Sequence, residues 1–222
     1  MIWDWAFAFE ILPVLARAAI VSIEATLIGF ALAASLGLVL AVVRIAVPWT
    51  GWTISVLVEL IRSTPLLIQI FFLYFVFPKF GVVLDAFTAG IIALTNLAAC
   101  FICEIVVAGI RSVPTGQVEA ALASGLSRWQ RMRQVVLPQA MRIVLPPLVG
   151  QYVLLIKDSS VVSAIGLTDL TRVGWLVVQR VPNGLLVFFL VGLGYFIVCY
   201  PLIMLARRLE QRMGAAHGEV QL

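Results

Sequence analysis

The chain has 222 residues, 63% of them hydrophobic and 12% charged, with a net charge of +4 and a mean hydropathy of +1.11. A soluble domain carries about 45–50% apolar and about 25% charged residues, so the composition excludes one and indicates an integral membrane protein. Neither lysine, Lys79 or Lys157, stands in a Gly-Lys-Ser/Thr sequence, and the one histidine is His217, which excludes a phosphate loop, a Ser–His pair and an HExxH metal site.

Stretches without Asp, Glu, Lys or Arg cover residues 25–43, 45–58, 63–78, 86–103, 143–156 and 181–206. A spanning helix needs about 20 mostly apolar residues, whereas a β-barrel shows short alternating segments. An all-α membrane protein with five transmembrane helices, forming one transmembrane domain over 1–222, is expected. The opening MIWDWAFAFE lacks the basic region of a cleaved signal peptide. Its Trp3, Trp5, Phe7 and Phe9 predict a segment lying at the interface.

The first crossing is predicted over 22–43, where Ala25, Gly29, Ala33, Gly37 and Ala41 make a ridge of small side chains against which another helix packs closely. Pro48-Trp49-Thr50-Gly51-Trp52 predicts a turn. A second crossing follows over 54–77, interrupted by Glu59, Arg62 and the Thr64-Pro65 step. A third runs over 87–110 and carries Cys100 and Cys103. With no second Cys pair to complete a metal site, these cysteines and Cys199 read as buried small hydrophobes. After the polar stretch 111–142 come a fourth crossing, 143–156, short unless it extends into its flanks, and a fifth, 185–206.

Five crossings place the termini on opposite sides. One side holds Arg44, the five arginines of 111–142, Arg207, Arg208 and Arg212; the other holds Arg17, Lys79, Lys157, Arg172 and Arg180 among acidic residues. The positive-inside rule assigns the first side, with the C-terminus, to the cytoplasm and the N-terminus to the outside. The positive charge brackets membrane crossings and requires no nucleic-acid partner.

The polar stretch is ordered by its own signals. Pro114 suits a first helical turn, Gly125 suits the left-handed residue that closes a helix, and Ser127-Arg128-Trp129-Gln130 is a capping box. Trp129, Met132, Val135 and Val136 fall on one arc of the next helix, and Pro138 marks its end or a kink. Two short helices meeting at a glycine form either a surface hairpin without a partner or a protrusion that another protein grips.

Glu119-Ala120-Ala121, Gly125 and Val135-Val136-Leu137-Pro138 resemble the EAA loop of ABC importer permeases, EAA-x₃-G-x₉-I-x-LP, with Val135 in place of isoleucine. Arg62-Ser63-Thr64-Pro65-Leu66 and Lys157-Asp158-Ser159-Ser160 add a resemblance to the polar amino-acid subfamily, over about residues 15–212. The resemblance implies a type I importer fold and an inner-membrane permease, not an enzyme. It implies a second permease subunit (copy or paralogue), two cytoplasmic ATPase subunits that hold ATP and Mg, and an outside solute-binding protein that delivers an amino acid. This chain carries no cofactor of its own. In that reading Glu119, Ala120 and Ala121 dock the coupling loop on the ATPase, and Gly125 sets the angle between its helices.

Charges inside crossings are functional candidates. Glu59 and Arg62 share a helical face and neutralise each other; Arg62 stays a substrate candidate, while Glu24 and Glu104 lie near interfaces. An amino acid presents an ammonium, which Asp158 suits, and a carboxylate, which the Ser159 and Ser160 hydroxyls suit; Lys157-Asp158 reads equally as an interface anchor. In the resembling subfamily an asparagine commonly stands at position 150 and a glutamate, glutamine or aspartate at 151. Gly150-Gln151 here favours a neutral or acidic polar amino acid such as glutamine or glutamate. The alternatives are a channel or ion-coupled transporter subunit, an assembly scaffold, and an ABC permease for another solute.

Overall fold

The computed structural model describes residues 5–181 and 184–214; Trp3, Asp4 and His217 lie outside them. The described residues form helices and no strand. Four helices are long and apolar enough to cross a membrane, and a bent pair makes a fifth candidate span.

Helix α1 runs unbroken over Trp5–Ala46. At 1.5 Å per residue its 42 residues reach about 63 Å, twice the hydrocarbon thickness of about 30 Å. The expected interfacial segment is therefore the first turns of the crossing helix itself. Near its Trp5 end, Ile11, Leu15 and Ala18 pack on Leu170, Val173, Val187 and Val191. The small-residue ridge is buried throughout. It forms the seam with α4 (Ala86–Arg111), where a Cβ on Gly37 would lie 2.6 Å from the Ala99 carbonyl oxygen. Gly29 lies beside Leu94, Gly37 beside Ala99 and Arg44 pairs with Glu104, so α1 and α4 run parallel.

The turn expected at Pro48 is instead the start of α2, Pro48–Arg62; a proline at the first helical position forfeits only an amide that no helix bond would use. The second crossing is not one rod. Helix α3, Leu66–Phe71, leaves α2 at 95° and continues through a π turn, Phe72–Val76, and a 3₁₀ turn, Phe77–Phe80. Pro65 supplies no amide to the break, and Gln69 Nε2 donates instead to the Ile61 and Thr64 carbonyls at 2.9 and 3.0 Å.

The polar stretch folds as α5 (Thr115–Ala123) and α6 (Arg128–Arg131). A π turn, Met132–Val136, joins α6 to α7, Leu137–Val162. The fourth crossing is thus far longer than 143–156, and Pro138, Pro146 and Pro147 do not stop it. Helix α7 packs antiparallel on α4, with Val144 against Gly109 and Val162 against Gly90. Helix α8, Leu170–Val178, precedes α9, Gly184–Gly214. The Trp5 end of α1 thereby lies opposite the α5–α6 hairpin, and the end of α9 lies on the hairpin's side.

Asp169 caps α8 and is 0% exposed. Its Oδ1 accepts the Arg172 N–H at 2.8 Å and its Oδ2 the Tyr195 hydroxyl at 3.3 Å, while Ser22 Oγ of α1 accepts the Leu170 N–H. This polar junction ties α1, α8 and α9 together. Cys100, Cys103 and Cys199 are buried free thiols, in line with their reading as small hydrophobes.

Candidate functional site: a helical hairpin and an interhelical groove

Helix α5 closes in a Schellman arrangement. The Gly125 N–H bonds the Leu122 carbonyl, the Leu126 N–H bonds the Ala121 carbonyl, and Gly125 takes a φ of +77°. The capping box then starts α6, with Gln130 N–H on Ser127 Oγ and Ser127 N–H on Gln130 Oε1. These bonds fix the angle between the two helices without any tertiary contact. An apolar cluster of Val113, Val136 and Ala140, with Ile110, Val118 and Met132 around it, seats the hairpin on α4 and α7.

The motif residues divide by face. Glu119, Ala120 and Gly125 are exposed, whereas Ala121 is only 6% exposed and packs into its own chain. Of the two motif alanines, Ala120 is thus turned outward and Ala121 inward. Leu122 and Trp129, 57% and 70% exposed, are apolar groups on the outer side that the sequence did not single out for docking. Trp129 shares by spacing an arc with Met132, Val135 and Val136, yet only Val136 of that arc is fully buried.

A groove of about 470 Å³ runs between α7 and α9, bordered by Pro147, Gly150, Gln151, Lys157, Arg207 and Glu210. Arg207 and Glu210 stand at the hairpin-side end of α9, so the groove reaches that side of the membrane. Gln151 is 6% exposed and its carboxamide makes no hydrogen bond among the described residues. Gly150 faces open space. The carboxamide is not among the enclosed, unpartnered polar groups of the described residues, and the residue borders a groove that a polar ligand can enter.

The other candidates are spread more widely. Asp158 is half-buried two turns beyond Gln151 on α7, a spacing that returns to the same helical face. Ser159 is fully buried and its hydroxyl donates to the Ile156 carbonyl at 2.8 Å; Ser160 donates to the Lys157 carbonyl at 2.6 Å. Asp158, Ser159, Ser160 and Arg62 do not border the α7–α9 groove. Arg62 stands at the α2–α3 bend, 3.3 Å from Glu59 and 4.9 Å above the Phe101 ring. A second groove of about 440 Å³ opens beside that bend, bordered by Ile61, Thr64, Gln69 and Asn96 among apolar groups. Glu104 is held by Arg44, and Glu24 is exposed.

The sequence pattern of the family described as binding-protein-dependent transport system inner membrane component matches residues 33–215. The chain is 38% identical over 211 residues to the probable glutamine ABC transporter permease protein GlnP of Bacillus subtilis (strain 168), covering 93% of this chain and 97% of that one. It is 34% identical over 216 residues to the glutamine transport system permease protein GlnP of Escherichia coli (strain K12), covering 96% and 99%. Among solved structures, the crystal structure of an amino acid ABC transporter with histidines superimposes with a TM-score of 0.89 at 30% identity, over 96% of this chain and 100% of that chain.

Proposed function

The chain belongs to the family of binding-protein-dependent transport system inner membrane components, and from that premise we propose how it moves its solute. It is a permease subunit of an amino-acid ABC importer and not itself an enzyme. Its working partners are ATPase and binding-protein subunits. We assign it a neutral polar amino acid, glutamine first, and the minimal assembly of two permease and two ATPase subunits, with ATP and Mg on the ATPases.

The reading is carried by one continuity. A helical path from Arg128 to Ile165 leads from the coupling hairpin directly to Gln151. About 14 residues of α7, or roughly 21 Å, separate the hairpin's seat from the carboxamide. Leu122 and Trp129 enter a cleft on the ATPase, and Glu119 and Ala120 flank the contact. When the ATPase pair closes, the hairpin is displaced and α7 carries the movement to the groove. The groove then alternates between the two sides as α7, clamped to α4 on one flank, shifts against α9, from which it parts at the groove.

Gln151 presents both a donor and an acceptor to a carboxamide or ammonium group of the solute, and Asp158 offers a negative charge for the α-ammonium on its way along the same helix face. The arginine-rich side faces the cytoplasm, which puts the N-terminus outside with the binding protein. Reconstitution tests this reading. The chain, its ATPase and its binding protein in liposomes should take up glutamine only with ATP inside. Uptake driven by an ion gradient with the ATPase left out would overturn it. A cysteine at Gly116 should be labelled from the cytoplasmic side and one at Gly81 from outside.

A further inference from the structure

Two π turns occur among the described residues, Phe72–Val76 and Met132–Val136, and each ends two residues before a proline, Pro78 and Pro138. In each, the residue before the proline donates five positions back, Phe77 N–H to the Phe72 carbonyl and Leu137 N–H to the Met132 carbonyl. A proline inside a helix has no N–H, and its ring collides with the carbonyl four residues earlier. Widening the preceding turn by one residue moves that carbonyl, Gln134 in the second case, out of the way. At Pro138 the turn has a further support: Gln139 Nε2 donates to the Val135 carbonyl at 3.0 Å.

The second π turn lies between two firmly held bodies. On one side, Val113, just before α5, and Val118 of α5 share an apolar cluster with Met132 and Val136 of the turn. On the other, α7 is clamped to α4, because a Cβ on Gly109 would lie 2.3 Å from Val144 Cγ2 and 3.5 Å from the Ala140 carbonyl oxygen. Arg131 Nε, at the start of the turn, is buried with no hydrogen-bond partner, so this junction does not satisfy all of its polar groups in the present arrangement. A π turn beside a proline is a place where a helix bends, so the direction of the helix on its N-terminal side can change there relative to α7.

We propose that Pro138 and Gln139 are positioning residues that hold the Met132–Val136 turn as a hinge, through which displacement of the α5–α6 hairpin is passed to α7. The proposal rests on the coupling role assigned to that hairpin and adds the point at which movement enters the transport helix.

The test uses the assembled permease–ATPase complex with its binding protein, in liposomes. Pro138→Ala gives residue 138 an amide that can reach the Gln134 carbonyl and close an ordinary α turn. The complex should assemble and hydrolyse ATP, while solute moved per ATP falls about tenfold, within the span of known coupling changes. Gln139→Leu, which leaves the backbone chemistry intact, should lower the same ratio about threefold. Pro78→Ala makes the same local change in the other π turn and should leave the ratio alone. An unchanged ratio in both Pro138→Ala and Gln139→Leu, or an equal fall in Pro78→Ala, overturns the hinge. If Pro138→Ala fails to assemble, Gln139→Leu decides. The underlying coupling role is judged separately: Trp129→Glu should release the ATPase on purification, and retention of the ATPase would sink that role whatever the hinge variants do.

Discussion

Gly109 of α4 receives the side chain of Val144 of α7 so closely that a Cβ on the glycine would stand 2.3 Å from Val144 Cγ2. At the other end of the same helix pair Gly90 receives Val162, where a Cβ would stand 2.4 Å from Val162 Cγ1. These two contacts set the antiparallel register of α4 and α7. In hydrocarbon, helix association depends on such close van der Waals approach, since lipid tails are as apolar as the side chains. Helix α7 is thus fixed along α4, while on its other flank it packs on α9 through Val153, Ile156 and Cys199 and parts from it at the groove beside Gln151.

Gly109→Ile should therefore separate α4 from α7 at a cost of about 1–3 kcal/mol, the usual range for overpacking. Gly29→Ala is the contrasting case, because a Cβ there meets its neighbours at 3.8–4.0 Å, an ordinary contact. Thermal unfolding of the purified complex should show a clear fall for the first and almost none for the second. Equal behaviour of the two would mean that the seam yields more than its geometry indicates.

The buried carboxyl at the α8 cap gives a pH-dependent expectation. Burial pushes the Asp169 carboxyl above the ordinary carboxylate range, although the Arg172 and Thr171 amides and the Tyr195 hydroxyl oppose the shift. A raised folded-state pKa means that this contribution to stability is complete below the unfolded value of about 3.9 and is lost as pH rises through the folded one. Asp169→Asn keeps a capping oxygen and should flatten this part of the pH profile. Asp169→Ala leaves the Arg172 N–H and the Tyr195 hydroxyl short of an acceptor and should cost about 1–3 kcal/mol. Unfolding midpoints measured from about pH 4.5 to about pH 7.5 separate the three proteins; a wild-type profile rising with pH at this site would contradict the sign.

Gly125→Val should uncouple ATP hydrolysis from uptake while the chain still inserts. Nothing lies within 4 Å of a Cβ at Gly125, so the penalty comes from its φ of +77°, worth about 1–2 kcal/mol for an L side chain, and not from a clash. Gly116→Ala has the same open surroundings without the positive φ and should couple normally. Normal transport by Gly125→Val at normal expression would show that the glycine does not set the hairpin angle.

Gln151→Glu should move selectivity towards cationic amino acids. Opposite charges 4 Å apart attract by about 4 kcal/mol at an effective dielectric near 20, and desolvation removes much of it. A net gain of about 1.4 kcal/mol would remain a tenfold preference. Binding of glutamine, glutamate and arginine to the purified permease complex, without the binding protein, checks it. Unchanged relative affinities would place Gln151 away from the solute.

The sequence by itself determined the solvent, the approximate spans and the helical hairpin at 115–131. All three are written in local signals: runs without charge, the Schellman glycine Gly125, the Ser127–Gln130 box. Their hydrogen bonds and burial preferences close within a few residues, so no distant partner is needed to read them. Tertiary structure decided the rest. The ridge from Ala25 to Ala41 announces close packing but does not say that α4 runs parallel in its groove, because any helix with matching holes would fit. Ala121 stands beside Ala120 in the motif, yet one is buried and the other exposed, since the apolar cluster around Val113 and Val136 fixes which side of α5 turns inward. The 95° bend at Pro65 depends on Gln69 reaching back to the Ile61 and Thr64 carbonyls. Asp169 reads in sequence as one more charge on the outer side; only the arrival of Tyr195 and Ser22 from distant helices makes it a fully buried cap. Hydrophobicity along a chain tells which segments leave water, whereas which polar group finds which partner once they have left depends on contacts between segments far apart in sequence.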